Sequence, residues 1–193
     1  IRTLFGAIYA GVVIGSILLD SMIFGMVFMI VTALAVKEYH TLVQSSVKQM
    51  AYAMAASVLL FAFVFFSYTA VNWSYHILFG YVVVLIISML HEIFQPNNQT
   101  IAHWGHLCGS QLMIALPFSL MTTILMHDRF LLLALFILVW ANASGAYLLG
   151  SFTAHTKRGN HKMCPAISPK KSWEGLIGGI ILSIAAACVF HIV

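Results

Sequence analysis

Residues 52–68, YAMAASVLLFAFVFFSY, decide the fold class of this chain because this run contains no charged side chain. A helix crosses the hydrocarbon core of a bilayer with about 20 mainly apolar residues, and slightly shorter runs are tolerated. The rest of the chain has the same character, since 62% of its 193 residues are hydrophobic and 7% are charged. Soluble domains carry about 25% charged residues. An all-α, polytopic membrane protein is therefore predicted, because one small soluble core would not cover this much apolar surface.

Similar apolar runs recur along the chain and predict about seven transmembrane helices in one membrane domain over 1–193. Asp20 lies in a tight turn between the first two helices, which are both short. Pro117 interrupts the long fifth helix, since proline lacks the backbone N–H that a helix interior requires. The predicted spans are 3–19, 22–36, 52–68, 77–90, 102–126, 130–149 and 173–191.

The distribution of cations predicts how the chain is oriented in the membrane. With a cytoplasmic N-terminus, eight of the nine Lys and Arg residues face the cytoplasm and only Arg129 faces outward. The basic loop 151–172 is then cytoplasmic, and the protein is integral to an inner or plasma membrane. Nucleic acid is not an expected partner, because the basic cluster is short and adjoins a membrane helix.

Three cysteines, Cys108, Cys164 and Cys188, are widely spaced. They match no zinc-binding pattern and leave no complete set of disulfide pairs. Free thiols are therefore predicted.

Residues 167–175, ISPKKSWEG, concentrate polar groups at the start of the last apolar helix. Ser168 is the first candidate for the helix cap, and Ser172 is the alternative. A helix N-terminus beside Lys170 and Lys171 suits phosphate oxygens. The same lysines would also serve to set topology or to attract anionic lipids. Charge alone leaves both interpretations open.

Small residues in the last two helices predict that these helices pack closely. They are Gly145 and Gly150 in the sixth predicted span and Gly175, Gly178 and Gly179 in the seventh. No strand is predicted before the last three glycines, and the Rossmann and P-loop patterns are absent, so a nucleotide-binding glycine loop is not expected.

Other polar residues lie in or next to the predicted helices. Asn142 and Ser144, near a helix end, either form interhelical hydrogen bonds or face a ligand. Tyr147 is an aromatic residue of the kind found at the membrane interface. His103 and His106 share a helix face and are either metal ligands or interface histidines. Glu92 is expected at a solvated helix end.

Two blocks of sequence together resemble a known family. Residues 167–179, ISPKKSWEGLIGG, resemble a motif of the phosphatidate cytidylyltransferases, which are also called CDP-diacylglycerol synthases. Residues 140–150, WANASGAYLLG, are similar to the family's W-x-N-D-T-G-A-Y-x-x-G. His161-Lys162 and Pro165 also fit the segment between the blocks. The resemblance covers about forty residues.

The resemblance implies a nucleotidyltransferase of phospholipid biosynthesis that converts CTP and phosphatidate to CDP-diacylglycerol and pyrophosphate with magnesium. Membrane lipids are further expected partners, and a homodimer is compatible with the sequence. Lysines at the motif would bind phosphate, hydroxyl and amide groups would donate hydrogen bonds, and Glu174 would orient a lysine or assist a cation. No catalytic residue or metal ligand is assigned. The implied substrate-binding residues are Asn142, Ser144, Tyr147, Ser168, Lys170, Lys171, Ser172 and Glu174.

Two departures from the family pattern bear on activity. Ala143 stands where the family has aspartate, and no acidic block follows the last helix, although that block supplies the family's expected magnesium ligands. The five acidic residues of the chain are scattered. The chain is therefore expected to be an N-terminal portion of the enzyme with little or no activity alone.

Two alternatives remain. Ala143 favours a shortened, non-catalytic relative that keeps lipid or nucleotide binding. An unrelated transport or scaffold protein would be expected to place charges inside its spans, and these spans contain almost none.

Overall fold

A computed structural model describes residues 2–94, 99–154, 161–165 and 168–192. Helices joined by short turns make up nearly all of this part of the chain, and one two-stranded hairpin precedes the last helix. The predicted all-α, multi-pass fold class is confirmed, with the hairpin as an unpredicted addition. The elements are α1 Arg2–Leu19, α2 Ser21–Leu42, α3 Val47–Thr69, α4 Val71–Ile93, α5 Thr100–Ser110, a π-helical turn Gln111–Ala115, α6 Leu116–His127, α7 Arg129–Ala154, β1 Lys162–Cys164, β2 Ser168–Ser172 and α8 Trp173–Ile192.

Six helices within the described ranges are long and apolar enough to cross a membrane, and the segment Thr100–His127 counts as one of them. The apolar part of α1, Gly6–Leu19, is shorter. Asp20 lies between α1 and α2, as predicted, and its side chain accepts a hydrogen bond from the Met22 N–H at 2.7 Å. α2 continues six residues beyond its predicted end at Val36, to Leu42. A helix satisfies its own backbone donors, so it does not have to end where the apolar residues end.

The predicted interruption near Pro117 is present as a π-helical turn just before it. The Leu116 N–H bonds to the Gln111 carbonyl, and Pro117 occupies the first turn of α6. The buried Gln111 side chain donates from Nε2 to the Ala53 carbonyl at 3.2 Å. The helix therefore widens by one π-helical turn before the proline.

Two compact units are seen, 1–129 and 130–193, and the single membrane domain over 1–193 stays a prediction. The first unit packs around buried aromatic rings. Phe24 and Phe28 stack with their ring centroids 4.1 Å apart. A Cβ on Gly25 would lie 2.6 Å from the Phe65 ring, so glycine lets that ring pack directly on the α2 backbone.

The first unit also buries a polar network at the ends of α3, α4 and α5. Glu92 is only 3% exposed, so the prediction of a solvated helix end is wrong. Its Oε1 accepts from Gln49 Nε2 at 2.9 Å, and His103 Nδ1 lies 2.7 Å from its Oε2. The network explains the burial, because a carboxylate removed from water needs such partners. His103 is therefore paired within the protein, and His106 packs near the Tyr39 ring.

The second unit contains α7, the hairpin and α8. Residues 155–160 and 166–167 of the predicted basic loop lie outside the described residues, and Lys157 and Arg158 are among them. Cys108, Cys164 and Cys188 are free thiols, as predicted.

Candidate functional site

α7 and α8 approach each other through glycines, which confirms the predicted close packing. A Cβ on Gly178 would lie 2.6 Å from the carbonyl oxygen of Gly145. A Cβ on Gly175 would lie 3.0 Å from the carbonyl oxygen of Ala146. The Asn142 side chain packs against Gly179, where any added side chain would collide with it. Since these positions carry no side chains, the two backbones come into contact.

A two-stranded antiparallel hairpin leads into α8, so the prediction that no strand precedes the glycines of this helix is wrong. Lys162 lies opposite Ser172 and Cys164 lies opposite Ser168, with an irregular register between the two pairs. Ser168 is therefore a strand residue, and its predicted role as the helix cap is wrong. The alternative cap is confirmed: Ser172 is 6% exposed, and its Oγ accepts from the Gly175 N–H at 3.2 Å.

A cavity of about 620 Å³ lies between the C-terminal part of α7, the hairpin and the first turn of α8. Its polar lining includes Asn142 and Tyr147 from α7 and Lys162, Lys171 and Ser172 from the hairpin. No acidic residue is among its described lining residues, so two lysines give the cavity a positive end. The apolar lining comes from Ala146, Ala154, Met163 and Leu176. Such a cavity suits a group that joins negative charge to an apolar body.

Half of the predicted substrate-binding residues line this cavity: Asn142, Tyr147, Lys171 and Ser172. Ser144 does not, because two residues along a helix correspond to a rotation of about 200° away from Asn142. Lys170 lies in β2, and its side chain is outside the described part of the structure. Ser168 is half-buried in the same strand. Binding itself stays a prediction for all of these residues.

Glu174, the remaining predicted residue, contacts His161 and does not line the cavity. The His161 N–H donates to both carboxylate oxygens of Glu174, at 3.1 and 3.2 Å, and His161 Nδ1 lies 2.7 Å from Oε1. The His161 carbonyl accepts from the Trp173 N–H at 3.0 Å. The start of the hairpin is thus bonded to the first turn of α8 through main-chain and side-chain groups.

Lys162 is the charged cavity residue that sequence reasoning did not include in the site. Strand pairing places it opposite Ser172, ten positions later in the chain. The strand KMC is too short to show an alternating apolar pattern. The available signal was the family-like position of His161-Lys162 ahead of the lysine motif.

The described residues do not fit a magnesium site. They contain no group of three His, Cys, Asp or Glu side chains that would hold a metal ion. Glu174 is engaged by His161. Ala143 lies one turn before Tyr147 on α7, is not among the lining residues of the cavity, and offers only a methyl group. Octahedral magnesium usually takes one or two carboxylates besides phosphate.

Comparisons with known proteins bear on the family of the chain. The model of the cytidylyltransferase family matches residues 1–193. The chain is 50% identical over 64 residues to a phosphatidate cytidylyltransferase of Haemophilus influenzae, a match that covers 33% of this chain and 20% of that protein.

Two further relatives match longer segments. Phosphatidate cytidylyltransferases of Bacillus subtilis and Rickettsia felis are 27% identical over 112 residues and 31% identical over 114 residues. These matches cover 56% and 58% of this chain, and 40% and 47% of the two relatives. The chain therefore aligns with less than half the length of each of these three proteins. No solved structure matches the chain.

Proposed function

We propose, since this chain belongs to the cytidylyltransferase family, that it takes part in forming CDP-diacylglycerol and pyrophosphate from CTP and phosphatidate. The relatives named above are phosphatidate cytidylyltransferases, and the matched segments cover only part of each of them. The observation that carries the proposal is the cavity at the α7–α8 junction, with Lys162 and Lys171 at its positive end.

In this reaction a phosphate oxygen of phosphatidate attacks the α-phosphorus of CTP. One phosphorus–oxygen bond forms to the lipid phosphate, and the bond between the α-phosphorus and the bridging oxygen to the β-phosphate breaks. Pyrophosphate leaves with that bridging oxygen and its electron pair. No protein nucleophile is needed, so the protein contributes chiefly by aligning the two substrates and neutralising their charge.

The cavity side chains suit binding of a phosphate group better than the backbone amides of α8 do. Two donors at the start of α8 are used within the protein, because the Trp173 N–H bonds to His161 and the Gly175 N–H bonds to Ser172. Lys162 and Lys171 therefore supply the positive charge in this proposal. Asn142 and Tyr147 provide further hydrogen-bonding groups in the cavity.

The amphipathic lining is compatible with the lipid substrate. Ala146 and Leu176 belong to apolar helices, while the lysines come from the hairpin. A phosphate on the lysines would leave an acyl chain next to the apolar wall. A CTP phosphate would use the same lysines, so the binding of CTP and the binding of phosphatidate have to be measured separately.

The setting proposed for this activity is an inner or plasma membrane with the basic loop 151–172 cytoplasmic, where CTP is found. The charge distribution supports that orientation. Magnesium dependence is a family expectation, and no step is assigned to the ion here because the described residues do not fit it. A homodimer likewise stays a prediction.

The proposal is tested by ligand binding to the chain in lipid nanodiscs. One arm measures labelled CTP binding in phosphatidylcholine discs, and the other measures a phosphatidate spin label in the same discs without CTP. Lys171→Gln and Lys162→Gln should each lower the affinity for substrate about tenfold, because each removes a charge-assisted contact. Lys37→Gln, an exposed lysine in α2, is the matched control. Unchanged affinity in both cavity variants would refute this assignment of the cavity.

A second candidate function is that of a non-catalytic relative that binds the same ligands. Ala143 favours it, since a methyl group cannot replace a carboxylate in metal binding or proton transfer. Pyrophosphate release from CTP in phosphatidate-containing discs separates the two candidates. Release by the unmodified chain supports the enzyme and refutes the non-catalytic relative. Release that appears only after Ala143→Asp shows that the methyl group at this position is what removes activity.

A further inference from the structure

The contacts around His161 form a link between the hairpin and α8 that the proposed chemistry does not itself require. A two-stranded ribbon is marginally stable by itself in water. Here the paired region is short, and its register is irregular between the Lys162 and Cys164 pairs. Some other contact must therefore fix the position of Lys162 and Lys171 relative to the cavity.

Glu174 provides that contact through both of its carboxylate oxygens. They accept from the His161 main-chain N–H, and Oε1 also meets the His161 ring. The His161 carbonyl is bonded in turn to the Trp173 N–H. These bonds converge on the residue immediately before Lys162, so they fix the point where β1 begins.

The charges around the cavity are consistent with a positioning role. Glu174 is the nearest acidic residue in the chain to Lys171, three positions away. Its carboxylate nevertheless bonds to His161, and within the described part of the chain it forms no ion pair with either cavity lysine. A carboxylate paired with those lysines would compete with an anionic ligand, whereas one that holds His161 leaves their charge available.

We propose that Glu174 and His161 form a clamp that holds the hairpin against the first turn of α8 and thereby positions Lys162 and Lys171 for a phosphate group. Glu174 is then a positioning residue. This inference rests on the proposed function for its ligand, but the clamp itself is a property of the ligand-free chain.

Three substitutions remove different parts of this clamp. Glu174→Ala deletes the acceptor for both the main-chain N–H and the ring. Glu174→Gln keeps a side-chain oxygen for the His161 N–H and loses the charge. His161→Ala keeps its main-chain N–H and carbonyl, and it loses only a ring that is 80% exposed. The clamp should therefore weaken in the order Glu174→Ala, Glu174→Gln, His161→Ala.

The first measurement is hydrogen–deuterium exchange of Lys162–Cys164 in the full chain, in nanodiscs and without ligand. Glu174→Ala should speed exchange in this strand about tenfold, as expected from the loss of one to two hydrogen bonds. Glu174→Gln should recover most of the protection. Glu38→Ala, the same change at an exposed position of α2, should leave the hairpin unchanged.

The second measurement is binding of labelled CTP and of the phosphatidate spin label to the same variants. Glu174→Ala should lower the affinity for the ligand about three- to tenfold, since the lysines remain but are no longer held in place. Glu174→Gln should restore most of the affinity, which a direct role for the carboxylate charge would not allow.

The outcomes separate the clamp from the proposed function. Unchanged exchange in Glu174→Ala would overturn the clamp regardless of ligand. Faster exchange with unchanged affinity would overturn the positioning role. A third outcome is that Glu174→Ala speeds exchange while the unmodified chain binds neither ligand. That result would support the clamp as a structural link and refute the proposed function.

Discussion

The two units of this protein use buried polar groups and small residues in opposite ways. In the first unit, the cavity of about 480 Å³ beside Lys48 contains the Glu92 carboxylate, which is bonded to Gln49 and lies next to His103, and aromatic rings fill the core. In the second unit, two helices touch through glycines, and the polar groups beside them line a cavity. Satisfied polar groups and dense packing stabilise a structure, whereas uncompensated charges around a cavity leave groups available to a ligand.

The positions of the charged side chains show the same difference. Glu92 of the first unit lies between Gln49 and His103. Lys162 and Lys171 of the second unit have no acidic residue beside them in the described cavity lining. This contrast identifies the second unit as the place to look for an anionic ligand.

The largest effect on stability is expected from Glu92→Ala. This change removes the acceptor that the half-buried Gln49 and His103 share, and the loss of two hydrogen bonds to a buried carboxylate should cost about 3 kcal/mol of unfolding free energy. Unfolding in mixed detergent and SDS micelles measures the loss. Glu38→Ala, at an exposed position in α2, should cost little. Equal stability of the two variants would mean that the buried network does not distinguish the first unit.

Gly178→Ala should give the next largest effect, through the contact of α7 with α8. The new Cβ would lie 2.6 Å from the Gly145 carbonyl oxygen, and overpacking of this kind costs about 2 kcal/mol. Gly15→Ala in α1 is the control, because nothing lies within 4 Å of a Cβ there. That control should be neutral or stabilising by about 0.5–1 kcal/mol, since alanine favours the helix.

Thermal unfolding of both glycine variants in the same detergent tests this prediction. Gly178→Ala should also reduce ligand binding, because the added methyl group would push apart α7 and α8, which both line the cavity. A variant with full stability would show that α7 and α8 do not depend on backbone contact.

Ser172→Ala should have the smallest effect of the three. It removes the acceptor of the Gly175 N–H and should destabilise the first turn of α8 by about 1 kcal/mol. Hydrogen exchange at Gly175 measures this local change. Ser183→Ala, in the middle of the same helix, is the control. Equal exchange in the two variants would show that the cap does not define the start of α8.

Much of the fold was predictable because the signal for membrane helices is cumulative. A run such as 52–68 carries its information in many residues at once, so errors of a few positions at either end do not affect the fold class. The glycines were also predictable as contacts, since small residues in apolar helices indicate close approach. The C-terminal end of α2 was not predictable, because its last turns are polar.

The candidate site was only partly predictable. Lys171 and Ser172 were found because they lie in a contiguous motif, and Asn142 because its block resembles a family pattern. Lys162 depends on strand pairing across a turn, and Ser168 was misassigned because a serine before proline fits both a helix cap and a strand. Glu92 was misassigned because a sequence does not show which helix ends are covered by their neighbours.

The sequence by itself determined the membrane class, the close contact of the last two helices and the lysine motif, since each depends on composition or local spacing. Tertiary structure alone decided that Glu92 is buried, that Lys162 joins Lys171 at one cavity, and that Glu174 meets His161. These outcomes depend on which distant residues are brought together. A carboxylate is held in water, in a buried network or in a clamp according to its neighbours in space.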